Sequence, residues 1–160
     1  MKVLVVEDDV ANAITAMQFF NSKDVEAVIV SNVETAVQKL QEEVFLAAIL
    51  DVEIPRGKGA NPERLGPEVG KVAKEGGVPY VYLTGYTPHG HGHHHGHGPQ
   101  AMVFLDEVCL EKGQGETVPA KSSAEAWAKA WEILQSTGNL EEIYNARVRY
   151  KKYTGKMYKT

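Results

Sequence analysis

A buried strand that ends in a carboxylate constrains this fold more than any other feature. Residues 44–50 are all apolar, and the run stops at Asp51. Apolar residues on both faces are typical of a buried strand in a parallel sheet. Pro55, Gly57 and Gly59 then predict a loop. Asp51 is therefore expected at the carboxyl end of a central strand, where open α/β sheets bind ligands, although an Asp that only caps a turn would give the same pattern.

The amino-terminal residues repeat this pattern. Residues 2–6 are predicted to form a second buried strand, apolar at positions 3–6, and acidic residues that include Glu7 and Asp8 follow it. If the two strands are parallel neighbours, their carboxyl ends bring Glu7, Asp8 and Asp51 to one edge of the sheet. Three carboxylates repel one another unless a cation lies among them. Mg²⁺ suits this position, because it binds one or two carboxylates and keeps water or phosphate oxygens as its other ligands.

The remainder of the chain alternates strands with helices. Strands are predicted at residues 2–6, 26–30, 45–50, 78–83 and 116–119, and helices at about 10–20, 32–40, 67–74, 100–111 and 124–134. Residues 58–67 are predicted to form a long loop. The apolar side of the first helix is assigned to Val10, Ala13, Ile14, Met17 and Phe20. This alternation predicts an α/β fold with a doubly wound, five-stranded parallel sheet of flavodoxin-like order 2-1-3-4-5 and helices on both faces.

Several residues in this order resemble the motif of a receiver domain from a two-component response regulator. An acidic pair follows strand one, an Asp ends strand three with Pro and Gly downstream, a Thr ends strand four, and a Lys follows strand five. The matching residues are Glu7, Asp8, Asp51, Pro55, Gly59, Thr84 and Lys121. The resemblance covers about residues 1–135.

The resemblance implies a role for each matched residue. Asp51 would be the phosphoacceptor, since a carboxylate can act as a nucleophile and form an aspartyl phosphate. Mg²⁺ would be held by Glu7, Asp8 and Asp51, with the backbone carbonyl of Glu53 as a further ligand. Lys121 would pair with a phosphate oxygen. Thr84 would donate its hydroxyl to the phosphate and move toward it, which changes the protein surface.

The site lysine has a rival, and the resemblance is incomplete nearby. Lys112 competes with Lys121, which is preferred because a helix cap follows it directly. The family usually has Pro after this Lys, where this chain has Ser122. It also usually has an aromatic residue on strand five, where this chain offers Thr117 and Val118. The acceptor site is therefore expected to be intact, and the conformational switch to differ.

Composition predicts a globular cytoplasmic protein. With 160 residues, the chain favours one receiver-like domain at residues 1–138, followed by a C-terminal extension at 139–160. The single cysteine, Cys109, fits a reducing compartment. We find no signal peptide pattern and no apolar stretch of membrane-spanning length, so no membrane association is expected. The net charge of −4 gives no general attraction to nucleic acid, which is therefore not an expected partner.

All six histidines lie in a glycine-rich insertion at residues 86–99. They are His89, His91, His93, His94, His95 and His97. Imidazole binds Zn²⁺, Ni²⁺ and Cu²⁺, so the insertion is a candidate transition-metal site at the switch surface of the family. The alternative is a polar insertion that binds metal only in the test tube.

The C-terminal extension is predicted to be a basic, tyrosine-containing helix. Its six Lys and Arg residues outnumber its two Glu residues, and four tyrosines are interleaved with them. A nucleic acid or an acidic partner could bind such a surface. A solvated helix that packs its tyrosines on the domain is the preferred interpretation.

These predictions give one leading function and two alternatives. The leading hypothesis is a stand-alone receiver, which is a signalling module and not an enzyme, and which takes a phosphoryl group from a sensor histidine kinase or a phosphotransfer protein. A downstream protein partner would read the modified state, and a homodimer is an open alternative to a monomer. The second hypothesis is a metal-binding or metal-sensing protein, and the third is a pseudo-receiver that binds a partner without being phosphorylated.

Overall fold

The computed structural model describes residues 1–85 and 100–160. The helices are α1 (Val10–Asn21), α2 (Val33–Glu42), α3 (Gly66–Glu75), α4 (Glu107–Lys112), α5 (Ala124–Ser136) and α6 (Leu140–Thr154). The strands are β1 (Lys2–Val6), β2 (Glu26–Val30), β3 (Ala47–Leu50), β4 (Glu53–Pro55), β5 (Pro62–Arg64), β6 (Tyr80–Thr84), β7 (Gln100–Phe104) and β8 (Glu116–Pro119). No helix within these two ranges is long and apolar enough to cross a membrane.

The central sheet has six strands in the order β2-β1-β3-β6-β7-β8. Strands β2, β1, β3 and β6 are parallel, whereas β7 pairs antiparallel with both β6 and β8. Strand β8 therefore runs in the same direction as the first four. The predicted α/β fold and the order of its five parallel strands are confirmed, with one additional antiparallel strand between the fourth and the fifth.

The prediction of a helix over residues 100–111 was wrong for its first half. Residues 100–104 form β7, and α4 begins only after Asp106, whose side chain accepts a hydrogen bond from the backbone N–H of Cys109 at 2.8 Å. The spacing of Met102, Leu105 and Cys109 imitates a helix face. Residues 101–104 are all buried, which is the pattern of a strand with neighbours on both sides.

The region predicted as one long loop, residues 58–67, is partly ordered as secondary structure. Strands β4 and β5 pair antiparallel into a two-stranded sheet, and α3 begins at Gly66. The N–H of Gly66 donates to the carbonyl oxygen of Val52 at 2.9 Å. A Cβ atom at Gly66 would lie only 2.2 Å from the carbonyl oxygen of Asp51. Glycine at this position therefore lets α3 start directly against the end of β3.

Two apolar layers cover the sheet, one on each face. Helices α1 and α5 pack on one side, where Trp127 is fully buried and Phe20 meets Trp131 edge to face at 5.4 Å. Helices α2, α3 and α4 pack on the other side with residues such as Leu40 and Val69. Alternate residues of β1 and β3 point into the two layers, so β3 is buried throughout and β1 is buried from Val3 onward. Helices on both faces were predicted correctly.

The rotation of α1 about its axis differs from the prediction. The buried residues of this helix are Asn12, Ala16, Phe19 and Phe20. Val10, Ile14 and Met17, which were predicted to face the core, are 74%, 49% and 51% exposed. Because Phe19 and Phe20 are adjacent and both must be buried, they turn the other apolar side chains toward solvent. An exposed apolar stripe remains on the outside of α1.

The C-terminal extension folds back on the amino-terminal edge of the sheet. Arg147 of α6 is buried and donates to the carbonyl oxygen of Phe45, just before β3, at 2.6 Å. Lys151 donates to the carbonyl oxygen of Glu42, at the end of α2, at 2.9 Å. The predicted helix is present. Its tyrosines differ in environment, because Tyr144 packs against the core whereas Tyr153 is 81% exposed.

Candidate functional site

The register of three parallel strands places two carboxylates side by side. Val6 of β1 pairs with Leu50 of β3, so Glu7 and Asp51 are the first residues beyond the two paired strands. The N–H of Asp51 donates to the carbonyl oxygen of Val6 at 3.0 Å, and the N–H of Glu7 donates to Val30 of β2 at 2.9 Å. One carboxylate oxygen from each of Glu7, Asp8 and Asp51 lies within 4.8 Å of the others. We call these three residues the acidic cluster.

Lys121 contacts the acidic cluster, although it follows β8, which is the last strand in the order of the sheet. Its ammonium nitrogen Nζ lies 2.8 Å from Oδ2 of Asp51 and 2.5 Å from Oε1 of Glu7. The turn that carries it is fixed by α5, because the indole N–H of Trp127 donates to the carbonyl oxygen of Lys121 at 2.8 Å. Lys112 is exposed at the end of α4. Of the two candidate lysines, Lys121 is therefore the one that lies at the cluster.

Two carboxylates of the cluster and the lysine are removed from water, whereas Asp8 is partly exposed. Glu7 is 2% exposed, Asp51 is 4% exposed, and Lys121 is fully buried. Burial raises the pKa of Glu7 to about 7, and the charge of Asp51 adds to this effect, although Lys121 opposes it. Burial alone would lower the pKa of Lys121, but the two carboxylates outweigh burial and raise it. Lys121 is thus a permanent cation at neutral pH, whereas Glu7 can gain or lose a proton.

The donor set fits a hard divalent cation. When all three carboxylates are ionised, they and the one ammonium carry a formal charge of −2. Oε1 of Glu7 is buried and forms an ion pair with Lys121, and it has no further hydrogen-bond donor within residues 1–85 and 100–160. Each carboxylate oxygen of Asp51 accepts one hydrogen bond, Oδ1 from the N–H of Val52 at 2.7 Å and Oδ2 from Lys121, so each retains a lone pair. Oxygen ligands with this excess of negative charge match Mg²⁺.

The remaining predicted residues lie around this cluster. Thr84 is buried at the last position of β6, and Tyr82 of that strand pairs with Leu50, so Thr84 lies at the same edge as Asp51, one strand away. Glu53 begins β4, two residues after Asp51. The structure therefore brings Glu7, Asp8, Asp51 and Lys121 together. Thr84 lies on the neighbouring strand, and Glu53 follows Asp51 by two residues along the chain.

Two features of the site were absent from the sequence predictions. Gly66 supports the backbone of Asp51 by the close approach of α3, and the only sequence signal for it was a Gly-Pro pair at the start of a helix. Strand β7 separates the strand of Thr84 from the strand that leads to Lys121. The sequence signal for β7 was a run of four apolar residues, 101–104, which the helical spacing concealed.

The six histidines and the rest of the insertion, residues 86–99, lie outside the described residues. The prediction that Zn²⁺, Ni²⁺ or Cu²⁺ binds there stays a prediction, and no finding supports it. The element that follows the insertion is a strand, since Met102 of β7 pairs with Thr84 of β6. The expectation that a helix follows at this point was therefore wrong.

Helix α4 is attached to strand β6 by two hydrogen bonds to one carboxylate. Tyr80 and Tyr82 of β6 both donate their hydroxyl groups to Oε1 of Glu107, at 2.6 and 2.7 Å. Burial and the nearby carboxylate both raise the pKa of each phenol. A Cβ atom at Gly70 of α3 would lie 2.0 Å from the hydroxyl of Tyr82, so three elements converge here without room for another side chain.

Comparisons with known proteins identify similar solved structures. Neither a protein-family model nor a curated protein matches the sequence. A CheY-like response regulator receiver domain protein from Methanospirillum hungatei JF-1 is 25% identical, with a TM-score of 0.45, over 54% of this chain and 65% of that chain. The N-terminal domain of a response regulator/sensory box/GGDEF 3-domain protein from Carboxydothermus hydrogenoformans is 26% identical, with a TM-score of 0.46, over 54% and 66%.

A third match is a CheY-like receiver domain from Methylobacillus flagellatus, at 20% identity and a TM-score of 0.44, over 54% of this chain and 70% of that chain. Two of these three structures are thus CheY-like receiver domains and the other is the N-terminal domain of a response regulator, all at low identity and with partial coverage of both chains. We assign the receiver-like architecture from the strand order and the acidic edge, both of which are visible in the chain itself.

Proposed function

We propose that this protein is a signalling receiver that accepts a phosphoryl group on Asp51 from a phosphohistidine donor, with Mg²⁺ bound at the acidic cluster. One observation carries the proposal: a fully buried lysine contacts both Asp51 and Glu7 at the carboxyl edge of a parallel sheet. A lysine that only balanced charge would also pair with these carboxylates. A third carboxylate, Asp8, lies within 4.8 Å of the other two, and such a group of oxygen donors favours a site that is completed by a divalent cation.

The chemistry requires one bond to form and one to break. An oxygen of the Asp51 carboxylate attacks phosphorus while the P–N bond to the donor imidazole breaks, and the bond electrons leave with the imidazole nitrogen. The product is an acyl phosphate on Asp51 and a free histidine on the donor. Mg²⁺ supplies positive charge for the phosphoryl oxygens when it is bound by Glu7, Asp8, Asp51 and the carbonyl of Glu53.

Lys121 changes its partner during this reaction. Before transfer it pairs with the Asp51 carboxylate at 2.8 Å. Transfer removes the charge from that carboxylate and places new negative charge on the phosphoryl oxygens. Lys121 then pairs with a phosphoryl oxygen as a point charge. The hydroxyl of Thr84, at the same edge, is the group we assign to donate to another phosphoryl oxygen.

An exposed apolar surface of α1, on which the phosphohistidine donor could dock, lies beside the site. Helix α1 starts directly after the acidic residues that follow β1, with Asp9 as its cap, and its outer side carries Val10, Ile14 and Met17. These three residues are spaced four and three apart, so they form one stripe along the helix. A phosphohistidine carried on a helix could lay an apolar face on this stripe while its imidazole reaches Asp51.

Titration with beryllofluoride and Mg²⁺, followed by NMR, tests the proposal. Beryllofluoride mimics a phosphoryl group, so we expect shifts at Asp51, Thr84 and Lys121 that require both reagents together. Asp51→Asn should abolish the shifts. Absence of any Mg²⁺-dependent shift in the unsubstituted protein would contradict phosphoacceptor function and favour the pseudo-receiver.

A further inference from the structure

The charge of the chain is divided unevenly between its two segments. Residues 1–138 carry 11 Lys and Arg against 19 Asp and Glu, whereas residues 139–160 carry 6 against 2. The two acidic residues of the second segment, Glu141 and Glu142, lie in the first turn of α6, where their negative charge interacts favourably with the helix dipole. The net charge of −4 therefore conceals a strongly basic surface on an acidic body.

Some residues of this segment anchor it to the body. Arg147 and Lys151 donate to the carbonyl oxygens of Phe45 and Glu42, as described above. The chain turns at Gly155, and Tyr158 then packs edge to face on Tyr150 at 5.5 Å. The N–H of Thr160 donates to the carbonyl oxygen of Glu75 at 2.8 Å. The segment is thus held at both ends of its basic half and does not form a loose tail.

A second set of cations alternates with these anchors and takes no part in the anchoring. The set consists of Arg149, Lys152, Lys156 and Lys159, all of them exposed. Across residues 1–85 and 100–160, no carboxylate forms an ion pair with any of the four. By contrast, Lys2, Lys39, Arg56 and Lys129 on the body each have an acidic partner.

An exposed aromatic ring lies among these cations. Tyr153 is four residues after Arg149 and one after Lys152, so the three side chains share the outer side of α6, away from the buried Arg147. Tyr153 is 81% exposed, more than any other large apolar or aromatic residue that the structure describes. Tyr150 and Tyr158 contact each other, and Tyr153 makes no ring contact within the described part of the chain.

We propose that the outer face of α6 binds a single-stranded nucleic acid. Arg149, Lys152 and Tyr153 form this face, and Lys156 and Lys159 follow in the segment after the turn at Gly155. Cations spaced along an ordered segment can follow a phosphodiester backbone, and an exposed ring between them offers a surface on which a base can stack. The acidic body disfavours polyanions elsewhere, so binding would be confined to this face. The face lies at the amino-terminal edge of the sheet, opposite the acidic cluster.

The observations disfavour two other classes of partner. A membrane surface would need several apolar residues on the outer side of α6 to insert between lipids, and that side carries Tyr153 among charged residues. An acidic protein would pair with the cations, but the outer side of α6 offers one ring among charged residues, where the centre of a protein–protein interface is usually apolar. Both alternatives are outcomes of the test below.

Fluorescence anisotropy with a short labelled oligodeoxythymidylate tests the proposal. The full chain should bind at low salt, with a log–log salt slope of about −3, from about −0.7 for each of four phosphate contacts. Arg149→Glu combined with Lys152→Glu should weaken binding at least about tenfold and reduce the slope by about 1.4. Tyr153→Ala should weaken binding about tenfold, and Tyr153→Phe should not.

The control is a double variant that makes the same change of charge on a different surface of the protein. Lys71→Glu combined with Lys112→Glu alters two exposed lysines of α3 and α4 and should leave affinity within about twofold once salt is matched. Thermal melts of each variant establish that it is folded. Absence of oligonucleotide binding by the full chain, or equal losses in the two double variants, would overturn the proposal. Equal affinity for a polyglutamate peptide or for anionic vesicles would also overturn it.

Discussion

The two edges of the central sheet give their charged side chains different partners. At the carboxyl edge, Glu7, Asp51 and Lys121 are desolvated and pair with one another. At the amino edge, the charged groups of Arg147 and Lys151 donate to main-chain carbonyl oxygens. The arrangement at the carboxyl edge gathers charged groups at a position where a bound cation or phosphoryl group would change the net charge. The arrangement at the amino edge uses charge only to attach the C-terminal segment, and its remaining cations stay in solvent.

The difference has a physical origin. A buried ion pair is stable only when each charge is compensated, and removal of one partner leaves an uncompensated charge in a medium of low polarity. At the carboxyl edge, Glu7 and Asp51 share one buried lysine, and its removal would leave both carboxylates without that partner. A guanidinium that donates to a neutral carbonyl leaves no opposite charge behind when it is removed. The carboxyl edge should therefore be far more sensitive to substitution than the amino edge.

Replacement of Lys121 by Met should have the largest effect on stability. Lys121→Met leaves Glu7 and Asp51 buried without a cation, and we expect the free energy of unfolding to fall by about 3–5 kcal/mol in urea titrations with EDTA. Mg²⁺ should restore part of this loss. The matched control is Lys129→Met, which removes only exposed ion pairs and should change stability by less than about 1 kcal/mol. Equal losses in the two variants would remove the distinction between buried and exposed pairs.

A change of pH should affect the carboxyl edge through Glu7. Folding raises the pKa of Glu7 from 4.5 to about 7, so the folded protein retains a proton that the unfolded chain has released. The stabilisation is complete below pH 4.5 and is lost as the pH rises toward 7, with a total size of up to about 3 kcal/mol. Glu7→Gln cannot titrate, so its stability should decline less than that of the parent across this window in Mg²⁺-free urea titrations. Parallel profiles for the two proteins would contradict the prediction.

Replacement of Arg147 by Met should have the smallest of the three effects. The methionine retains the packing of the side-chain stem, and the variant loses one hydrogen bond to the carbonyl of Phe45. We expect a loss of about 1–2 kcal/mol in urea titrations. Arg149→Met, two residues away on the exposed side of the same helix, should change stability by less than about 0.5 kcal/mol. A loss for Arg147→Met as large as that for Lys121→Met would mean that the edges do not differ.

The sequence predicted the carboxyl edge better than the amino edge, and the reason is physical. Asp51 and Glu7 each end an apolar run, and parallel strands bring such ends together whatever the details of packing. The contact between Arg147 and Phe45 joins residues 102 positions apart, and no local pattern indicates where a C-terminal helix returns.

Two predictions within the domain were wrong: the secondary structure of one apolar run, and the side of α1 that faces the core. Residues 101–104 are apolar at every position, so strand and helix periods fit them equally well, and only their place between β6 and β8 decides. In α1 the apolar residues occupy more than one side of the helix. The neighbouring rings of Phe19 and Phe20 select the buried side, which left Val10, Ile14 and Met17 outside the core.

Intact-mass analysis after treatment with acetyl phosphate tests the central claim most directly. With Mg²⁺ present, the protein should gain the mass of a single phosphoryl group, and EDTA should prevent the gain. Asp51→Asn should show none, whereas Asp9→Asn, which removes a carboxylate from the same edge but keeps a residue that caps α1, should still be labelled. Labelling of Asp51→Asn to the same extent as the parent would contradict the assignment of Asp51 as the phosphoacceptor.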